Sequence, residues 1–226
     1  MLKKSSPILK DSVRRHRARR IVRYLKRTYA VPKSELRYKT PIQFVVAVIL
    51  SAQCTDKAVN KATENLFKKY RTPQNFARAT PSRFQEQIRT IPFFRNKTSA
   101  IISAANDIVK KHNGKVPKSE SALIALRGVG YKTAHVILGE LFNSWEGIPT
   151  DTHVKRFAYR FGLSNEQDLK KISKDLEALV PKPDWKYVNN GLVLYGRYVC
   201  PARRHDCKNH PLTKIYPKAA NRWIKR

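Results

Sequence analysis

Lys132 stands two residues past a paired-glycine turn, in Leu126-Arg127-Gly128-Val129-Gly130-Tyr131-Lys132-Thr133-Ala134. Two glycines let the backbone turn tightly and leave its N–H groups uncovered at a helix start, where the positive end of the helix dipole also points. Such a turn holds phosphate. Between two short helices it is a helix-hairpin-helix pattern, which contacts the DNA backbone rather than reading sequence; an αα-corner needing glycine only for packing is the other reading. A lysine beside a helix N-terminus and partly desolvated can act as a nucleophile, although among 47 Lys and Arg the default is a solvated surface charge. Further on, Ile148-Pro149-Thr150-Asp151-Thr152-His153-Val154 sets a carboxylate at a helix start. Asp151 can cap that helix, and the same charge can stabilise positive charge developing on a sugar; the two roles are compatible.

The scaffold that must position these residues is basic. The 226 residues include 47 Lys+Arg against 16 Asp+Glu, a formal net charge of +31, which points to a polyanionic partner. At 41% hydrophobic residues there is material for one or two cores, which excludes a disordered basic tail. The longest apolar stretch, Phe44 to Leu50 with Ile42 just before it, falls short of the ~18 to 20 residues of a membrane span. Three cysteines, Cys54, Cys200 and Cys207, are odd in number and sparse, which argues for an intracellular protein over a disulfide framework. The first 30 residues carry 11 Lys/Arg and one acid, a balance shared with mitochondrial transit peptides. Val13, Ile21, Val22, Leu25 and Tyr29 share one helical face, however, and favour a helix docked on a core.

The punctuation predicts an all-α protein of about ten helices. Thr40-Pro41 opens one to Gln53, Thr55-Asp56 one to Tyr70, and Thr80-Pro81 one through Ile88. Asn96 caps a helix to His112, Ser119 one ending near Leu126, and Tyr131 to Phe142 follows the hairpin. Thr152 to Phe161, a segment capped by Ser164 that runs to Val180, and Trp185 to Tyr198 complete the set. From Arg197 onward, nine Lys/Arg and few apolar residues predict a loop-like surface segment.

Together the hairpin and Thr150-Asp151-Thr152-His153 resemble the helix-hairpin-helix Gly/Pro-Asp superfamily of DNA glycosylases, and within it the endonuclease III family. Leu50-Ser51-Ala52-Gln53-Cys54-Thr55-Asp56-Lys57-Ala58-Val59-Asn60-Lys61 resembles that family's early helix pair, and Lys111-His112-Asn113-Gly114-Lys115-Val116-Pro117 the approach to its hairpin. The resemblance implies two helical domains flanking a DNA-binding groove: a hairpin domain over 34–145, and a second over 1–33 and 146–226. It implies that Lys132 attacks the sugar C1′ of a damaged nucleotide and forms a Schiff base that permits β-elimination, with Asp151 assisting. Gln53 would fill the space of the flipped nucleotide and Phe93 would wedge into the stack, partly offsetting the few kcal/mol of extrusion; Phe93 as plain core is the alternative. Gly128, Val129, Gly130 and Thr133 would meet the DNA backbone. Oxidised pyrimidines such as thymine glycol are the implied substrate. A branch that acts on adenine mismatches lacks a lysine at the position of Lys132.

Members of this family end in four cysteines, C-x6-C-x2-C-x5-C, that bind a [4Fe-4S] cluster. Here the register reads Cys200-x6-Cys207-x2-His210-x5-Tyr216, which leaves two thiolates of four. No cofactor is therefore expected. A zinc site from Cys200, Cys207, His210 and His205 is the alternative, although x6 is long for a zinc knuckle and no fourth ligand is clearly placed. Without metal, packing of Tyr198, Val199, Leu212, Ile215 and Tyr216 must hold this loop, with Arg203 and Arg204 suited to phosphate. The expectation is a monomeric, DNA-associated glycosylase with AP-lyase activity that binds double-stranded DNA, in cytoplasm, nucleoid or nucleus. A noncatalytic DNA-binding protein and a monofunctional glycosylase are its rivals.

Overall fold

Hydroxyl and carboxylate side chains open most of the helices. The computed structural model describes residues 7–30 and 32–223, and among them it holds α-helices and no strand. These are α1 (Pro7–Thr28), α2 (Pro41–Ser51), α3 (Asp56–Lys69), α4 (Pro73–Ala77), α5 (Pro81–Gln87) and α6 (Phe94–Lys111). They continue with α7 (Glu120–Ile124), α8 (Tyr131–Phe142), α9 (Thr152–Arg160), α10 (Leu169–Leu179), α11 (Leu192–Tyr198) and α12 (Pro211–Ile215). Thr40, Thr55 and Ser119 accept from the backbone amides of Gln43, Ala58 and Ala122, each satisfying one donor that the first helical turn leaves without a partner.

Several boundaries differ from the sequence reading. Phe93, not Asn96, caps α6, in a left-handed conformation (φ 58°) that stops the chain from entering the helix earlier. Asp168, not Ser164, caps α10, because the Ser164 hydroxyl is drawn to Asp175 at 2.6 Å. The short helices α4 and α12 were not anticipated; α4 is fixed by a reciprocal capping box between Thr72 and Asn75, and α12 makes part of the C-terminal segment helical rather than loop-like. Trp185 to Tyr198 is helical, but it widens into a π-turn at Tyr187–Gly191.

The chain packs as two compact units, Ser34–Ser144 and Met1–Lys33 with Trp145–Arg226. In the first, Ile42 through Leu50 of α2 are all buried and pack among α3, α6 and α8. A fully hydrogen-bonded Gln43 joins the start of α2 to the end of α3: its amide nitrogen donates to the carbonyls of Phe67 and Tyr70, both at 2.9 Å, and its oxygen accepts from the Lys39 amide. In the second, Ala18, Ile21, Val22 and Leu25 of α1 pack with Phe157 and Phe161, Leu176 of α10 and Tyr195 of α11. Val13 is not part of that stripe and is 54% exposed. At that end α1 meets the carbonyl-rich end of α9 instead, where Arg14 and Arg17 donate to Leu163, Phe161 and Gly162 oxygens.

Removing Leu25 therefore should open a cavity, whereas Val13 should be dispensable. Leu25→Ala is expected to destabilise the protein by about 2–5 kcal/mol in chemical denaturation, and Val13→Ser to change it by less than ~0.5 kcal/mol. Equal effects would contradict this docking of α1.

Candidate functional site

Between α7 and α8 the hairpin passes through Gly128 with φ 87°, and a Cβ there would lie 2.9 Å from the Ala100 Cβ. Conformation and packing both require glycine at that position. Gly130 is different: it precedes α8 without any side-chain cap, and a Cβ there would meet nothing within 4 Å. The start of α8 is thus open to an approaching anion. Val129 is buried in the unit core, so it can offer a ligand only its backbone. The His135 ring and the Glu120 carboxylate meet at 2.6 Å and clamp α8 to α7, while Arg127 donates to the Ser99 hydroxyl at 2.9 Å. Lys132 is exposed on the first turn of α8 and Thr133 half-buried. Lys132 is thus exposed rather than partly desolvated.

Gln53 and Phe93 lie on two turns of the same unit, and both hold a left-handed conformation, with φ 55° and 58°. Phe93 is 59% exposed and is not core. Strain of this kind costs of order 1 kcal/mol per residue and persists only where surrounding structure imposes it. Lys97 braces the Gln53 turn through its side chain and the Phe93 turn through its backbone amide. Its buried ammonium donates to the carbonyls of Leu50 (2.8 Å) and Ala52 (2.6 Å), and its own amide donates to the Phe93 carbonyl at 3.0 Å. Burial pushes the Lys97 amine below the ordinary lysine range, with Cys54 acting in the opposite direction. Nothing in the sequence singled out Lys97 among so many basic residues.

Asp151, in the other unit, is the N-cap of α9; one carboxylate oxygen accepts from the amides of His153 (2.8 Å) and Val154 (2.9 Å). The strand of chain leading to it is pinned. Asn189, on the π-turn, donates to the Pro149 carbonyl at 3.1 Å, and the Ile148 amide donates to Glu177. The Ser173 hydroxyl lies 2.8 Å from the Ile148 carbonyl and 2.7 Å from Glu177. Burial pushes the Glu177 carboxyl up, but bonds from Ser173, Lys174 and the Ile148 amide outweigh it and hold the group below its ordinary value.

The C-terminal loop buries Cys200 and Cys207 and exposes Arg203 and Arg204. Leu212 is buried and Val199, Ile215 and Tyr216 pack on the same core, but Tyr198 is 68% exposed and contributes little. The residue that sequence reading missed is Arg160, fully buried at the end of α9. Its guanidinium donates to the Cys200 and Cys207 sulfurs, both at 2.9 Å, and to the Ala219 carbonyl. Tyr216 covers the Arg17 guanidinium at 3.7 Å. With two thiols, a guanidinium against both of them and the Tyr216 ring engaged elsewhere, these residues do not fit a four-iron cluster. Cys200, His205 and Cys207 do form a group that could hold a metal ion, with donor atoms within 4.8 Å of one another.

Residues 46–182 match the HhH-GPD superfamily of base excision DNA repair proteins. An endonuclease III of Synechocystis sp. is 40% identical over 215 residues, covering 95% of this chain and 98% of its own. One from Haemophilus influenzae is 42% identical over 176 residues, covering 78% and 83%. Among solved structures, a trapped endonuclease III–DNA covalent intermediate superposes with a TM-score of 0.84 at 32% identity, over 92% of this chain and 98% of that one. A non-covalent endonuclease III–DNA complex gives 0.85 at 32% identity, over 92% and 97%.

The two positioning devices make separate predictions. Lys97→Met keeps the length but leaves two carbonyls without their donor; it should cost about 1–3 kcal/mol and speed amide hydrogen exchange at residues 51–55 and 93–95. Unchanged exchange there would remove Lys97 from this role. Because the Glu177 carboxyl is held low, its contribution is fully present above its unfolded-state value and is lost as the pH falls through the lower folded one. The stability gap between wild type and Glu177→Gln, read from urea denaturation, should be largest near neutral pH and close on acidification.

Proposed function

Because this chain belongs to the HhH-GPD superfamily of base excision DNA repair proteins, and within it to the endonuclease III family, we propose that it excises oxidised pyrimidines from duplex DNA as a DNA glycosylase with AP-lyase activity. The observation that carries this reading is Lys132, exposed on the first turn of a helix whose glycine start stands open, in a chain similar to one trapped covalently on DNA. The Lys132 Nζ lone pair bonds to C1′ as the C1′–N bond breaks, and the base leaves with that electron pair and takes up a proton. Ring opening moves the amine proton to the sugar oxygen and leaves an iminium. Loss of the C2′ proton then expels the 3′ phosphate with the C3′–O bonding pair, and water frees the lysine. Asp151 stabilises the positive charge that develops on the sugar.

Gln53 enters the space of the extruded nucleotide and Phe93 wedges the stack, each presented by its left-handed turn. Backbone groups at Gly128, Val129 and Gly130, with Thr133, hold phosphate, and Arg203 and Arg204 add contacts from the C-terminal loop. Residues 34–145 form the hairpin domain, and 1–33 with 146–226 the second. The protein acts as a monomer inside the cell on thymine-glycol-like lesions, without a [4Fe-4S] cluster. A charge of +31 gives strong, salt-dependent attraction to duplex along which the protein searches.

Incubation with duplexes carrying thymine glycol or an abasic site, followed by borohydride, tests this. Wild type should form a covalent adduct on both, and Lys132→Ala on neither. An adduct on the abasic duplex alone would overturn the lesion assignment; base release without any adduct would make the protein monofunctional. Tight binding with neither would leave a noncatalytic DNA-binding protein. Asparagine also caps helices, so Asp151→Asn should keep its stability while base release slows by about 10²–10³-fold.

A further inference from the structure

We propose that Cys200, His205 and Cys207 bind one zinc-class divalent cation, with His210 as the fourth ligand. The interval that looked too long for a zinc knuckle is divided by His205 into Cys200-x4-His205-x-Cys207-x2-His210. Tetrahedral zinc, with bonds of ~2.3 Å to sulfur and ~2.0 Å to nitrogen, sets its donor atoms roughly 3.4–3.8 Å apart. The Cys200 sulfur and His205 Nε2 already lie 3.8 Å apart, and all three donor atoms fall within 4.8 Å of one another. Those three donors approach tetrahedral spacing, and His210, outside that group, has to swing in as the fourth.

The histidines carry the argument further. His205 Nδ1 lies 2.7 Å from the Arg203 carbonyl, a bond that requires the ring proton on Nδ1 and leaves the Nε2 lone pair directed to the thiols. Metal-bound histidines are fixed by this kind of outer contact. His210 Nδ1 is buried with no hydrogen-bond partner, an expensive state for a ring nitrogen unless a ligand completes it. The His210 ring centroid lies 5.1 Å from that of His205, and the His210 amide donates to the Cys207 carbonyl, so a tight turn keeps His210 next in sequence to the group although its ring nitrogens lie outside the 4.8 Å set.

Two sulfurs and two imidazoles suit a borderline-soft ion and not calcium or magnesium, which take oxygen donors. Arg160 sets a condition. Its guanidinium opposes a bare dication, so both cysteines must bind as thiolates, each losing a proton to solvent; their two charges then balance the ion and accept its N–H groups.

The full chain, purified without a metal-affinity tag and stripped with chelator, is titrated with cobalt and then zinc. The expected result is stoichiometric cobalt with tetrahedral visible bands and sulfur-to-cobalt charge transfer, displaced by zinc, and a higher Tm with zinc. His205→Ala, at the half-buried rim, should fold, as circular dichroism can check. Its zinc affinity should fall by more than the ~10-fold that loss of an outer contact causes, and His210→Ala should do the same. Cobalt uptake in wild type no greater than in a Cys200→Ser/Cys207→Ser double variant would overturn the site, as would zinc affinity unchanged in both histidine variants or iron with acid-labile sulfide in the purified protein. None of these readouts depends on base excision.

Discussion

With 47 basic residues and 16 acidic ones, this chain is short of carboxylates for its inward-facing cations, and it satisfies them with carbonyl oxygens, many of them at helix ends. The last carbonyls of a helix have no intrahelical partner and carry the negative end of the dipole, so a cation placed there serves both. Lys97 does this at the end of α2 and Arg17 at the end of α9. Arg160 does the same for Ala219. Carbonyls orient a cation without cancelling its charge. The internal bonds therefore leave the net positive field intact, and that field is what draws a polyanion to the protein.

The first two turns of α6 act as a jig for the hairpin unit. Phe93 begins them, Lys97 reaches back to the end of α2, Ser99 accepts from Arg127, and Ala100 fills the space that a Cβ on Gly128 would need. Three left-handed residues, Gln53, Phe93 and Gly128, thus depend on one helix. Strain distributed in this way is stable because no single turn can relax without breaking a contact that also holds another. It also explains how the two side chains proposed to meet the duplex can stand on turns rather than on regular elements and still be held in place.

Local signals were legible and distant ones were not. Thr40, Thr55 and Ser119 announced helix starts because capping acts over three residues, and the paired glycines announced the hairpin because a tight turn needs them locally. Asp151 was legible in the same way. Phe93 as a cap was not, since phenylalanine has no side-chain acceptor and its left-handed backbone carries no local sequence signal. Val13 misled because periodicity names a face but not where the partner surface ends. The π-turn at Tyr187–Gly191 was invisible for a similar reason: its use is to aim Asn189 at Pro149 and Asn190 at Pro32, contacts about 40 and 158 residues distant.

The C-terminal loop divides its cohesion between two scales. Arg160 joins α9, the cysteine loop and the turn at Pro217–Ala220, and it stacks on Trp223 at 4.0 Å, so the long-range anchoring belongs to one side chain that no ligand pattern would flag. Residues 200–210 contain the cysteines and histidines, which can close only a local loop. A buried cation held by two sulfurs and a carbonyl is tolerable because each guanidinium nitrogen finds an acceptor, and replacing Arg160 by an apolar residue would strand those acceptors as well as open a cavity. Losing two thiolates of a four-thiolate register thus need not unfold this segment. Arg160 keeps it docked on α9 whatever the metal, and what remains for the local residues to fix is the direction in which Arg203 and Arg204 point.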